Sequence, residues 1–330
     1  MRHTLLFCLS LFALPVAAQS VDLEAIVEDH VLAGYADLSA STRALETASQ
    51  ATCDPGDAGL QAAYHDAFDA WVRVSHLRFG PSETDTRAFA LAFWPDPRGS
   101  TPKTLATLIR DADPVVEDAA DFATVSVAAR GFYALEYLLF DAQFTAGDAP
   151  DYRCALVRAI ARDVAGNSSA IEADWTGGYA ALLAMPGNDT YRTEAEAAQQ
   201  LFTALTTGLE FTENMRLGRP LGTFERPRPN RAEARRSERS LRNVVLSLEA
   251  TQALAAQLSG GSAAVAADYE RALERAAALD DPTLAGVADP AQRFRVEALQ
   301  SAVTTIRRTL LEDVGPSLGV TAGFNSLDGD

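Results

Sequence analysis

The chain is short of the residues that most enzymes use for chemistry. It holds four histidines, three cysteines and three methionines in 330 residues, and only His30, His65 and His76 lie beyond the first eighteen positions. No two-histidine zinc motif is present, no Gly-x-Ser-x-Gly elbow and no phosphate-binding loop, so the conventional hydrolase and nucleotide signatures are missing. Excess positive charge is lacking too. The formal net charge is −17, which repels nucleic acid and anionic membrane surfaces and excludes both as partners. Such acidity is compatible with collecting cations, although solubility alone explains it. Beyond the N-terminal run no stretch is long and apolar enough to span a membrane.

That N-terminal run reads as a leader. Met1-Arg2-His3 is a short basic start, Thr4 to Leu14 is almost unbroken apolar sequence, and Pro15-Val16-Ala17-Ala18 closes it with small residues suited to cleavage before Gln19. A three-part pattern of this kind is a secretory signal, too short to span a bilayer. Cys8 lies inside the apolar run, a poor context for lipid attachment. Cys53 and Cys154 remain. In an oxidising compartment one pair reads as a disulfide, and two separate buried thiols are the alternative.

Apolar residues recur at spacings of three and four, so the period is helical and the expected class is all-α. Leu23, Ile26, Val27, Val31 and Leu32 form a first stripe, continued by Tyr35, Leu38 and Leu45 to the break at Asp54-Pro55-Gly56-Asp57. A second helix is predicted from Leu60 to Arg78, stopped by Gly80-Pro81. After an irregular stretch around Trp94-Pro95, Thr101-Pro102 opens a short helix. A third main helix is predicted over 115–140 and a fourth from Tyr152 into the 180s. Pro186-Gly187-Asn188-Asp189 is the clearest boundary, with Asp189 or Thr190 as the next N-cap. Further helices are expected near 190–217, 231–258, 262–280 and 290–312. The layout predicts a signal peptide over 1–18 and two packed four-helix bundles, over 19–186 and 190–330.

One segment combines apolar burial with charge. Gly131 to Phe140 is nearly continuous apolar sequence carrying a single carboxylate, Glu136. Burying an unpaired charge is costly, so Glu136 needs a cation, a partner such as Arg78 or Arg130, or a proton. Tyr133 shares its helix face, and Gly131 lets a neighbouring helix or a ligand come close. His65 and Asp69, one turn apart, are either a shared metal pair or a solvated i,i+4 pair.

These pieces resemble the imelysin family, also called M75 peptidase-like. Gly131 to Glu136 resembles its Gly-x-His-x-x-Glu motif, with Tyr133 in place of the histidine. Trp71 through Arg78-Phe79-Gly80-Pro81 resembles its tryptophan and Arg-Phe-Gly-Pro turn, and Phe93-Trp94-Pro95 its Trp-Pro segment. Glu233 through Asn243 is similar to its Glu-x-x-x-Ser-x-x-Ser stretch, and Gly323 to Asp330 to its C-terminal ending. The resemblance implies a cleft between two bundles, a periplasmic or outer-membrane-associated life, and iron acquisition beside iron transporters or haem-containing oxidoreductases. A peptidase activity travels with the family name. Tyr133 cannot replace a neutral imidazole on zinc, and its phenolate suits ferric iron better. Otherwise Tyr133 is a hydrogen-bonding core residue.

The expectation is therefore a binding or accessory protein of iron uptake, without turnover, that holds iron, another transition-metal ion or an iron chelate. Its site would comprise Trp71, His76, Arg78, Tyr133 and Glu136, with Ser237, Ser240 and Asn243 facing them; Tyr133, Glu136 and His76 would be the metal ligands. A metal-dependent peptidase is one alternative. A docking protein for an outer-membrane or haem-bearing partner is another. Charge adds a separate candidate: seven arginines lie between Arg226 and Arg242 against two acids, Glu233 and Glu238. Arg228, Arg231, Arg235, Arg239 and Arg242 would form a ridge along a helix. They either pair with the protein's own carboxylates or, through Arg235 and Arg239, cradle an anion.

Overall fold

The computed structural model describes residues 21–320 of the chain. The leader over 1–18 and the C-terminal Gly323 to Asp330 lie outside the described residues. The chain is all-α. The single β feature among the described residues is an isolated bridge between Thr223 and Arg226.

Helix α1 (Ala33–Ala51) continues a shorter helical entry, Leu23–Ile26, through a π-turn at Val27–Leu32. It packs on α2 (Ala58–Val74) and on α5 (Pro150–Asp174), and α4 (Gly131–Phe140) lies against α5. Between them α3 (Ser100–Asp111) packs on α4. In the second half, α6 (Glu194–Phe211) packs on α7 (Ser240–Leu258), α7 on α8 (Ala263–Ala277), and α8 on α9 (Pro290–Thr309), which returns to α6. Helix α7 also packs on α2 and so joins the two groups of helices. The apolar stripe of α1 (Leu38 and Leu45), the α2 residues Leu60, Tyr64 and Phe68, and Leu156 and Ile160 of α5 are all fully or almost fully buried. This is the burial an amphipathic helix needs to be stable. A Cys53–Cys154 disulfide, with Cα atoms 5.2 Å apart, ties the segment just after α1 to the N-terminal part of α5.

Breaks and caps follow side-chain chemistry. Asp57 accepts from Leu60 N at 2.8 Å to start α2, and Asp289 accepts from Ala291 N and Gln292 N to start α9. At the 186–193 boundary Thr193 caps α6, rather than Asp189 or Thr190. Asn188 instead organises the turn, accepting from Thr190 N and Tyr191 N and donating to Leu182 O and Met185 O. Asp96 reaches forward to accept from Ser100 N and Thr101 N at the start of α3.

Two predicted helices are shorter than expected. The span 115–140 breaks into turns and short pieces before α4, because Asp118 and Ser126 accept from nearby backbone N–H groups and compete with the helix ladder. Gly131 then takes φ +75°, and a Cβ there would meet Leu91 O at 2.2 Å. The close neighbour that this glycine admits is thus the backbone of Ala90 and Leu91. The span 231–258 is helical only from Ser240. Residues 233–239 form a loop with Ala234 and Glu238 in the left-handed region. The arginines from 228 to 239 therefore form no ridge along a helix.

Candidate functional site

A cavity of about 520 Å³ opens where α6 faces the end of α2 and the segment around Trp94. Helix α6 turns Gln200, Thr203, Ala204, Thr207, Gly208 and Phe211 into it at helical spacing. Trp71, Ser75, His76 and Arg78 come from α2 and the turn after it, Trp94 and Tyr133 form another wall, and Arg216, Glu233 and Ser247 complete it. Close approach is built in: a Cβ on Gly208 would lie 2.5 Å from the Cβ of His76.

The wall formed by Tyr133 is a chain of buried polar contacts. The Tyr133 hydroxyl donates to Glu233 Oε1 at 2.5 Å, and Arg216 Nε donates to Glu233 Oε2 at 2.8 Å. Arg216 also donates to Thr212 Oγ1 and Ser247 Oγ, each at 3.1 Å. Arg216 and Glu233 are 4% and 2% exposed, which makes this a fully desolvated ion pair. Burial, and then the Glu233 carboxylate, push the Tyr133 phenol well above its ordinary pKa. Trp94 stacks on Tyr133 with ring centroids 6.2 Å apart and meets Phe211 edge-on at 5.8 Å.

Glu136 faces the 233–239 loop. Its Oε1 accepts from Arg236 N at 2.9 Å, Ser237 N at 3.1 Å and the Ser237 hydroxyl at 3.0 Å. Neither arginine expected to neutralise it does so. Arg78 pairs with Glu83, and Arg130 pairs with Asp163 while donating to Ala123 O. The Arg236 guanidinium lies 4.0 Å from Oε2. Burial outweighs these donors and raises the Glu136 pKa.

The remaining predicted residues divide clearly. Trp71, His76, Arg78 and Tyr133 line the cavity. His76 is buried, with Nε2 2.8 Å from Nε2 of His30. Burial depresses both imidazoles, His30 to about 4 and His76 well below its usual value. Glu136, Ser237 and Ser240 belong to the loop anchorage, where Ser240 Oγ donates to Glu233 O at 2.6 Å. Asn243 is fully buried, and neither amide atom has a partner among the described residues.

Arg239 is buried and cannot present an anion cradle. It donates to His65 Nδ1 at 3.0 Å and to Asp69, which Arg242 also grips, and it lies over the Phe68 ring. His65 and Asp69 are thus joined through Arg239. Arg235 is half-buried, and its Nε lacks a partner among the described residues. Arg216, Glu233 and Phe211 were not among the predicted site residues. Glu233 had a signal, its place at the head of the Glu-x-x-x-Ser-x-x-Ser stretch; Arg216 had none.

Fold and cavity together define an all-helical protein with a part-enclosed, aromatic-walled chamber against α6. The chain belongs to the imelysin family, whose model (Peptidase_M75, imelysin) matches residues 31–310. Among solved structures it is similar to an imelysin-like protein from Psychrobacter arcticum 273-4, at 21% identity and a TM-score of 0.71, over 92% of this chain and 96% of that one. It is similar also to a protein assigned as an iron-regulated protein A precursor from Parabacteroides distasonis ATCC 8503, at 14% identity and a TM-score of 0.71, over 90% and 96%. No curated protein sequence matches it. No helix among the described residues is long and apolar enough to cross a membrane.

Proposed function

We propose that this protein is a periplasmic binding or accessory protein of iron uptake, working without turnover, and that its ligand is an organic iron chelate held in the α6 cavity. The observation that carries this reading is the cavity itself. Its volume of about 520 Å³ suits a small molecule, and small-molecule sites run from roughly 300 to 1,000 Å³ with mainly apolar walls and a few placed polar groups. Trp71, Trp94, Tyr133 and Phe211 supply the walls, and Gln200, Thr203 and Thr207 are polar residues among the lining. The N-terminal leader supports export, and the similarity to an iron-regulated precursor supports the link to iron.

A metal held directly by Tyr133, Glu136 and His76 fits the residues poorly. The phenol proton is committed to Glu233, and its raised pKa disfavours the phenolate that a ferric ion would need. Glu136 accepts three donors from the loop, and His76 meets His30. Among the described residues no group of three or more His, Cys, Asp and Glu side chains is placed to hold a metal ion. A chelate brings its metal already coordinated, so the cavity need supply only shape and hydrogen bonds. The peptidase alternative requires a group that activates water, and the same three residues are the ones already engaged.

Titrating tryptophan fluorescence of the mature protein with ferric citrate and with zinc tests this reading. Saturable quenching by the chelate, weakened in Trp94→Ala, is the expected result. Zinc-supported cleavage of an unfolded protein substrate, abolished in Glu136→Ala, would put the peptidase reading first. Binding of neither probe, with capture of a haem-bearing envelope protein, would favour docking.

A further inference from the structure

The two guanidinium groups that line the cavity differ in one respect that bears on ligand choice. Arg216 is buried and fixed by Glu233, Thr212 and Ser247. Arg78 is 45% exposed, and its partner Glu83 is 43% exposed. Arg78 Nε donates to Glu83 Oε1 at 2.5 Å and Nη2 to Oε2 at 3.3 Å, the two-pronged geometry with which guanidinium holds a carboxylate. Both side chains line the same cavity.

The backbone beneath this pair is firm. Residues 80–82 form a 3₁₀ turn with Pro81 buried, and Ser82 Oγ donates to Leu77 O and Phe79 O. Gly80 sits at φ +59° under the Tyr179 ring, which leaves no room for a side chain. The two side chains can therefore part without the turn moving. An exposed pair of this kind contributes little to stability, so a carboxylate arriving from solution can take the place of Glu83 at small cost.

We propose that the cavity selects carboxylate-bearing ligands through Arg78, and that Glu83 is an internal competitor which the ligand displaces. This rests on the cavity being the ligand site. Charge supports it: Glu83 balances Arg78 and Glu233 balances Arg216, so the charged groups of the chamber wall cancel inside a chain of net charge −17. Moving Glu83 aside uncovers one positive group at the cavity wall, beside the tryptophans.

The experiment compares wild type, Arg78→Gln, Arg78→Lys and Glu83→Gln by fluorescence titration with ferric citrate and with an uncharged ferric tris-hydroxamate, with melting temperatures measured alongside. Glu83→Gln should bind the citrate complex roughly fivefold tighter, since both the competitor and its repulsion are gone. Arg78→Gln should bind it at least roughly fivefold more weakly, Arg78→Lys should fall between, and the hydroxamate should be indifferent to all three. Weaker citrate binding by Glu83→Gln would make Glu83 a positioning partner of Arg78 and overturn the proposal. Equal affinities across all four proteins would also overturn it, while leaving the cavity as the ligand site. Absence of binding by wild type to either complex would remove the site itself.

Discussion

The hydroxyl oxygen of Tyr133 lies 2.5 Å from Oε1 of Glu233, a residue one hundred positions further along the chain. This contact joins α4 to the loop that precedes α7. Glu233 is held from its other side by Arg216, so the phenol closes a buried three-residue chain. A buried carboxylate with one oxygen left unpaired loses free energy on the scale of its desolvation.

Tyr133→Phe removes the donor and keeps the ring. Urea unfolding should show a loss of about 1 to 3 kcal/mol, with an unchanged slope against urea. Trp94 stacking survives the change, so chelate affinity should move by less than about threefold. A stability equal to wild type would mean that Glu233 keeps both oxygens satisfied without Tyr133.

Arg239 and Arg242 share Asp69 but differ in burial, at 1% and 56% exposure. Arg239→Ala takes one of its two guanidinium partners from Asp69, leaves His65 Nδ1 without its donor and removes the guanidinium packed over Phe68. It should cost about 2 kcal/mol, because a buried guanidinium's charged hydrogen bonds and its packing are lost together. Arg242→Ala should cost less than about 1 kcal/mol. Paired melting curves decide this, and equal losses would contradict the difference in burial. Neither variant should change chelate affinity, because neither residue lines the cavity.

The two variants also mark where sequence reasoning reached its limit. The 3.6-residue period and the Pro-Gly and Asp-Pro breaks are local signals. They place α1, α2, α6, α8 and α9, the start of α5 and the end of α7 to within several residues. Helix α5 itself stops at Asp174, where a π-turn carries the chain on to Ala184. The loop 233–239 is not legible this way. Its Ala, Glu and Arg content has high helix propensity, yet the chain turns there because Glu136 collects the N–H groups of Arg236 and Ser237. Tertiary demand overrides local preference, and no spacing in the sequence announces it. Trp71, His76, Arg78 and Tyr133 stand out in the sequence through their motifs, and all four line the cavity. Arg216, inside the π-turn Thr212–Leu217, carried no pattern that distinguishes it from the other arginines.

Glu136→Gln and Glu136→Ala should part in opposite directions. Burial raises the folded-state pKa of Glu136 above 4.5, so its ionised form costs stability at neutral pH. That cost is absent below the unfolded pKa and grows as pH rises through the folded one. Gln keeps an acceptor for the loop N–H groups and carries no charge, so its stability at pH 7 should equal or exceed wild type. The gap should close on acidification. Ala leaves the N–H groups of Arg236 and Ser237 unpaired and should lose roughly 2 to 3 kcal/mol. A Gln variant as damaged as Ala would show that the loop requires the charge itself.

His76, which lines the cavity, and His30 beside it set the opposite pH dependence. His30 and His76 meet at 2.8 Å, and burial is the main cause depressing each pKa; for His76 the neighbouring His30 and Arg216 push the same way. Because the folded values lie below the ordinary 6.5, the unfolded chain takes up protons first as pH falls. The stability these groups contribute is complete above about 6.5. For His30 it drains away down to about 4, and for His76 the loss continues further. Each titrating histidine changes stability by about 1.4 kcal/mol per pH unit inside its window. Urea midpoints should therefore fall steadily between pH 6.5 and 4 in wild type, and the double variant His30→Gln, His76→Gln should flatten that slope. Glu136 opposes this trend from the unfolded carboxyl value upward to its own raised one, so measuring both sets of variants on one pH series separates the contributions. A wild-type profile that stays level from pH 7 to 5 would mean that these imidazoles are protonated in the folded protein, and the neutral His30–His76 contact would have to be abandoned.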